Sequence, residues 1–308
     1  MMFMYKNNYW LNLCVEITKA ELGYEWGNIE SMKKFNIISP HAFSVLEHAY
    51  CEECSSYFAY DNLVVIANTL GYGFRNNGDY KLSLICYKRA LSMQESTLGK
   101  FSSYRSNLYY NIAWLYEEDL EYDLSLEWYK KDLTICEAVH GKEGISTAHT
   151  YNSMGSLYTK MHDYKIAQDY LKRALYIFKT RLGEYNSNTA AVCNNIANVY
   201  SEKHLYDQAI EWHKRDIKIC ETINGKEHID TAISYNNIGI TYYDMNLPSV
   251  ALDWYEKAIK IMINVVEQEH PRLEAVIRNA KKAFYLIGGM PNSFNSWLKM
   301  ITDNANYT

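Results

Sequence analysis

The chain of 308 residues is 48% hydrophobic and 22% charged, with only 4 Pro and 14 Gly; so few chain breakers predict helices rather than strands and loops. A formal net charge of −5 and a pI near 6.0 leave no basic field to neutralise phosphates or anionic lipid, which excludes binders of nucleic acid or membrane surface that rely on one. Seven cysteines, an odd number, do not read as a disulfide framework.

No apolar run reaches the ~20 residues of a membrane span. The start, Met1-Met2-Phe3-Met4-Tyr5-Lys6, lacks the parts of a secretory leader. A soluble, reduced, cytoplasmic protein is the expectation. Residues 1–60 follow no repeat, and their periodicity predicts helices around 8–22, 25–35 and 40–58, together a degenerate N-terminal cap. The stretch from Glu30 to His41 has a helix-turn-helix outline. The helix that would read DNA, Pro40 to Tyr60, holds no Lys or Arg and carries Glu47, Glu52 and Glu53. Without cations it lacks the phosphate contacts that dominate affinity, so no nucleic-acid partner is expected. His48, Cys51 and Cys54 share a helical spacing, yet a structural zinc site needs four ligands; Cys51 and Cys54 read as small buried side chains, and no metal or cofactor is predicted.

From 61 to 271 the chain repeats itself five times at a spacing of 42 residues. One column reads Leu70, Ile112, Met154, Ile196, Ile238; the next reads Gly71, Ala113, Gly155, Ala197, Gly239. Three residues on stand Phe74, Tyr116, Tyr158, Tyr200 and Tyr242. Later in each copy come the small set Ser83, Ser125, Ala167, Ala209, Ala251 and the bulky set Cys86, Trp128, Tyr170, Trp212, Trp254. Apolar positions recur at three and four residues, so each copy is two helices; the two small columns let their backbones approach. Turns within a copy are expected at Asn76-Asn77-Gly78-Asp79 and His162-Asp163. Turns between copies carry Gly99, Gly141, Gly183 and Gly225, predicted as left-handed caps. Thr147, Thr189 and Thr231 then stand where a hydroxyl could accept from an orphan amide of the next helix. Residues 272–289 read as a capping helix, the first helix of a sixth copy. Gly288-Gly289-Met290-Pro291 breaks it, and a tail over 290–308 carries a short amphipathic pattern in Phe294, Trp297, Leu298, Met300 and Ile301.

These columns resemble the tetratricopeptide repeat, and the 42-residue spacing resembles the repeats of kinesin light chain. The segments Tyr235-Asn236-Asn237-Ile238-Gly239 and Gly225-Lys226-Glu227-His228-Ile229-Asp230-Thr231-Ala232 look like that subtype's helix opening and inter-repeat turn. The resemblance covers roughly residues 62 to 290. It implies an all-α fold, a right-handed α-solenoid superhelix of helix-turn-helix repeats whose first helices line a concave groove. The heptad coiled coil that precedes the repeats of kinesin light chains has no counterpart in residues 1–60, which argues against a motor subunit.

Asparagines at two places on the first helix often face the groove in this family. Here those columns are Asn111, Ser153, Asn195, Asn237 and, one residue earlier, Tyr110, Asn152, Asn194, Asn236. An amide offers donor and acceptor together, so it grips an extended peptide without demanding a sequence. Further along lie Trp114, Ser156, Asn198, Ile240 and then Glu118, Lys160, Glu202, Asp244. The family's chaperone-tail clamp uses Lys and Arg on these helices, and they are missing. A mixed polar and aromatic groove with a mildly acidic edge favours an extended segment bearing aromatic or basic residues.

No phosphate-cradling Gly-rich loop, nucleophile elbow or zinc-protease motif is present, so no enzyme is expected. The leading expectation is a cytoplasmic scaffold or adaptor that binds a peptide or partner protein. The alternatives are a regulatory sensor controlled by such binding, or a non-catalytic subunit of a larger enzyme or nuclease assembly.

Overall fold

The computed structural model describes residues 29–51, 57–95, 103–265 and 270–305. Among them the chain is helical throughout, without a strand. The helices are α1 (Ile29–Cys51), α2 (Tyr57–Asn76), α3 (Tyr80–Glu95), α4 (Ser103–Glu118), α5 (Tyr122–His140), α6 (Ile145–Lys160), α7 (Tyr164–Leu182), α8 (Ser187–Glu202), α9 (Tyr206–Asn224), α10 (Ile229–Asp244), α11 (Pro248–Val265), α12 (Pro271–Leu286) and α13 (Pro291–Ala305). They fall into two compact units, Met1–Lys142 and Glu143–Thr308. The expected helix over 8–22, together with Cys54 and Gly99, lies outside the described residues, as do the side chains of His48 and Cys51.

In the first unit, α1 runs unbroken through Pro40, where the sequence predicts a break between two cap helices. A proline inside a helix costs about 3 kcal/mol. Offsetting that cost, Phe35, Ala42 and Leu46 are fully buried on one face of α1, and the Phe35 ring meets Phe74 edge-on at 5.4 Å. Two helix pairs follow, α2 with α3 and α4 with α5. The second unit holds α6 with α7, α8 with α9, α10 with α11, and then α12 and α13. The tail helix α13 packs on α11 and α12: Phe294 is buried and its ring lies 5.4 Å from Phe284.

Three pairs, those of Gly71, Gly155 and Gly239, close through a contact between the small column and a large second-helix side chain. A Cβ built on Gly239 would stand 2.7 Å from Cε1 of Tyr255, and one on Gly71 would stand 2.6 Å from Cε1 of Tyr87. At these two positions the missing side chain lets the phenol lie flat on the first helix. The hydroxyl of Ser83, from the other small column, donates to the Gly71 carbonyl at 2.6 Å.

The turn inside every copy is built the same way. A residue of positive φ stands at Gly78, Leu120, His162, His204, Asn246 and Gly288, again 42 apart. The next amide reaches back to the carbonyl five residues before it, as Asp163 N to Tyr158 O and Leu205 N to Tyr200 O, both at 2.9 Å. This is the left-handed helix end with its long-range closing bond.

The turns between copies differ from expectation. Gly183 and Gly225 do have positive φ (89° and 86°), but their ψ values of 173° and 170° are extended rather than left-handed helical. Only glycine tolerates that region, and it sends the chain outward to the next helix. The threonines also play another part. Thr231 Oγ1 donates to the Gly225 carbonyl at 2.7 Å, and Thr189 Oγ1 donates to that of Gly183 at 3.3 Å while accepting from the side-chain amide of Asn186 at 2.9 Å, so they tie the turn rather than accept from the backbone amides of the next helix. The accepting caps are Asn186, toward Thr189 N at 3.0 Å, His228, toward Asp230 N at 3.1 Å, and His270, toward Arg272 N at 3.2 Å.

One member of the column that packs on the small residues departs from its aromatic and aliphatic pattern. The column that faces the small residues reads Tyr87, Tyr129, Leu171, His213, Tyr255. His213 is fully buried, and neither ring nitrogen has a hydrogen-bond partner. Burial drives its pKa from 6.5 down to about 4. Asp216, on the same helix, is pushed by burial from 3.8 up to about 6.

Two measurements test these points. Leu120 is 71% exposed and pays the left-handed penalty of roughly 1–2 kcal/mol, so Leu120→Gly should raise stability by about 1 kcal/mol in urea unfolding. Replacing His213 by Leu, as in the preceding copy, should add about 1–3 kcal/mol at pH 7.5 by removing unpaired buried polar atoms. The folded pKa of His213 is depressed, so its neutral form loses stability as pH falls below 6.5. The advantage of His213→Leu should therefore widen by about 2 kcal/mol at pH 5. Asp216 works in the opposite sense in both proteins and does not alter the difference.

Candidate protein-binding face

The first helices α6, α8, α10 and α12 lie side by side in the second unit, α8 against both α6 and α10, and α10 against α12. On each, the apolar column turns inward: Met154, Ile196 and Ile238 are buried. A helix turns about 100° per residue, so the two positions before each of these sit at the rim of the core. Asn152, Asn194, Asn195, Asn236 and Asn237 are accordingly half-buried.

Their amides are joined across the helices. Asn195 Nδ2 donates to Asn152 Oδ1 at 2.9 Å, Asn237 Nδ2 to Asn194 Oδ1 at 3.0 Å, and Asn279 Nδ2 to Asn236 Oδ1 at 3.1 Å. Each bond runs from the later column of one copy to the earlier column of the copy before it. Asn236 Nδ2 also approaches Asn237 Oδ1 at 3.4 Å. The sequence columns name every member but Asn279, which follows from Asn237 by one more step of 42. The pairing itself is not visible in sequence, because it depends on how far one helix pair rotates on the next.

An asparagine has four hydrogen-bonding sites, and each pair consumes one donor and one acceptor. The ladder orients Asn194 and Asn195 while leaving the Nδ2 of the first and the Oδ1 of the second for other partners. Their half-exposed neighbourhood is one in which a fixed amide makes a net hydrogen bond with an incoming group.

At the far end of the same helices Asn198, Glu202 and Asp244 are exposed, as is Lys160. Partial burial first, and the neighbouring Glu202 carboxylate second, hold the Asp244 carboxyl above its usual range, with His204 opposing. Two carboxylates from α8 and α10 thus share one edge and leave a local negative potential.

Asn111 and Trp114 belong to the first unit and form a separate cluster. Arg75 Nη1 donates to Asn111 Oδ1 at 3.2 Å. The guanidinium lies 5.0 Å from the Trp114 ring and 4.6 Å from that of Tyr72. Tyr80 meets Trp114 edge-on at 5.8 Å. The amide grouped with Asn195 and Asn237 by sequence is therefore held by a cation here rather than by another asparagine.

Residues 63–131, 119–180 and 187–264 match the family described as Tetratricopeptide repeat. No curated protein matches the chain. Among solved structures, BtubC (BKLC) from P. vanneervenii is similar at 19% identity and a TM-score of 0.59, over 79% of this chain and 96% of that one. RapI in its apo form is similar at 17% identity and a TM-score of 0.58, over 87% and 92%. A putative kinesin light chain repeat protein from Podosopora anserina reaches 16% identity and a TM-score of 0.52, over 66% and 96%. At these identities the likeness is one of fold. No helix among the described residues is long and apolar enough to cross a membrane.

Proposed function

The chain belongs to the tetratricopeptide repeat family, and from that premise we propose that it is a non-catalytic scaffold whose first-helix face in Glu143–Thr308 holds an extended segment of a partner protein. Repeats of this kind serve as protein-interaction scaffolds. The observation that carries the finer reading is the asparagine ladder: amides fixed in direction by one another, half-buried, with a donor on Asn194 and an acceptor on Asn195 side by side. A peptide backbone presents the complementary carbonyl and N–H. Amides already locked in place lose little rotamer entropy on binding, so more of each hydrogen bond appears as affinity.

The edge formed by Glu202 and Asp244 sets the preference. A segment with Lys or Arg near that end gains from the shared negative potential, and the gain falls with added salt. Asn198 extends the polar face beside these acids, and Lys160 marks its cationic exception. In the first unit, Asn111 and Trp114 with Arg75 supply an aromatic and cationic patch of a different character, suited to a ring or an acidic group. Among the described residues Cys86, Cys193 and Cys220 are buried free thiols, which supports the cytoplasm as the working compartment.

A peptide array varying charge and aromatic content, followed by fluorescence anisotropy on the best sequence, tests the reading. Extended peptides with basic and aromatic residues should bind best. The double variant Asn194→Ala/Asn195→Ala should weaken them by roughly 10- to 30-fold, the loss of two hydrogen bonds of about 1 kcal/mol each. Thermal melting of the variant separates this from unfolding. Equal binding by a folded variant, or an array indifferent to composition, would sink the proposal.

A further inference from the structure

A cavity of about 190 Å³ opens between α7, α8 and α9, with no asparagine of the ladder in its lining, and Cys193, Trp212, Lys179, Glu184, Tyr185 and Arg215 are among its lining residues. Its origin is legible in the repeat. The column that contains Cys193 reads Ala67, Tyr109, Tyr151, Cys193, Tyr235. In three of the other four copies a phenol ring fills this place and rests on the bulky second-helix residue: Tyr109 on Trp128 at 5.4 Å, Tyr151 on Tyr170 at 5.6 Å and Tyr235 on Trp254 at 5.5 Å. The first copy has no ring there either, but its bulky second-helix residue is Cys86; only beside Cys193 does a second-helix aromatic, Trp212, face a space where its counterparts have an aromatic partner.

The charges around that space are also inverted. Tyr235 donates its hydroxyl proton to Glu221 Oε1 at 2.6 Å. The column of Glu221 reads Glu95, Glu137, Lys179, Glu221, Ile263, and the one five residues on reads Lys100, Lys142, Glu184, Lys226, Gln268. Only here do the acid and the base exchange places, as Lys179 and Glu184, which pair at 3.2 Å. Tyr185 further replaces the turn acid found at Glu143 and Glu227. Arg215, its guanidinium 4.8 Å from the Trp212 ring, and Lys218 complete the rim. Three cations against one carboxylate leave a net double positive charge on the lining.

We propose that this cavity is a binding site for an aryl phosphate: the ring takes the place of the missing phenol against Trp212, and the phosphate meets Lys179 and the Arg215–Lys218 rim. The size fits a single ring, since an apolar cavity of about 150 Å³ already holds benzene. Where a carboxylate elsewhere accepts a proton from a phenol, an ammonium here donates to an oxyanion. An aryl phosphate carries about −1.5 to −2 charges at neutral pH, matching the excess on the lining. Glu184 is the internal competitor for Lys179, and the ligand displaces it. This site is independent of the reading offered for the asparagine face.

Isothermal titration calorimetry of the full chain with phenyl phosphate tests the proposal, with phenol and inorganic phosphate as half-ligands. The variants are the chain's own alternatives. Cys193→Tyr restores the ring, and Lys179→Glu/Glu184→Lys restores the charge order of Glu221 and Lys226 at constant net charge. Saturable binding of phenyl phosphate is expected, at least tenfold tighter than either half-ligand. It should fall at least tenfold in Cys193→Tyr and at least fivefold in the exchange variant. If Cys193→Tyr does not fold, the exchange variant decides. A peptide carrying phosphotyrosine distinguishes the source: binding ten times tighter than phenyl phosphate assigns the site to a protein ligand, and equal or weaker binding to a free small molecule. No binding of phenyl phosphate overturns the proposal. So does inorganic phosphate binding equally well with both variants unaffected, which would mean surface cations only.

Discussion

The structure depends on the close approach of two helix backbones within each copy. Where the first helix has Gly71, Gly155 or Gly239, the second lays Tyr87, Leu171 or Tyr255 directly on it, and the distance between the helices follows. That distance sets the turn, and the turn repeats its positive-φ residue every 42 positions whatever its chemical type. Leu120, His162, His204 and Asn246 adopt a backbone that glycine would take at less cost, because packing on both sides of the turn leaves no other path. Local preference yields to a constraint imposed by the core.

The period made most of this readable. Apolar columns at helical spacing identified the paired helices, the small columns their contacts and the scarcity of Pro and Gly their continuity. The residues that the sequence misassigned are those whose role depends on a neighbour's geometry. The inter-copy glycines were recognised as glycine-requiring, but only the extended ψ of Gly183 and Gly225 shows that they launch the next helix. Thr231 looked like an acceptor and is a donor, because Gly225 places a carbonyl within its reach. Pro40 looked like a break and is none, because Phe35 and Leu46 bury the same face on either side of it.

The candidate site was legible by half. Composition of two columns singled out Asn152, Asn194, Asn195, Asn236 and Asn237; their pairing across helices, and Asn279 as its last member, required coordinates. Asn111 shows the limit of column reasoning, since the same position in the first unit is satisfied by Arg75. The cavity beside Cys193 makes the complementary point. A repeat provides its own comparison set, and a position where one copy loses a ring while its flanking charges exchange signs stands out against copies that keep both. Identity across copies reports packing; a coordinated departure reports something the packing does not need.

The claim on which the functional account turns is that the laddered amides meet a polypeptide backbone. Side-chain amide resonances of asparagine, followed by NMR in a chain labelled at those positions while a binding peptide is added, address it most directly. The account predicts that the signals of Asn194 and Asn195 shift with the peptide, with the Asn237–Asn194 pairing retained. Shifts confined to Asn111, Trp114 or the second helices, with Asn194 and Asn195 unmoved at saturation, would contradict it.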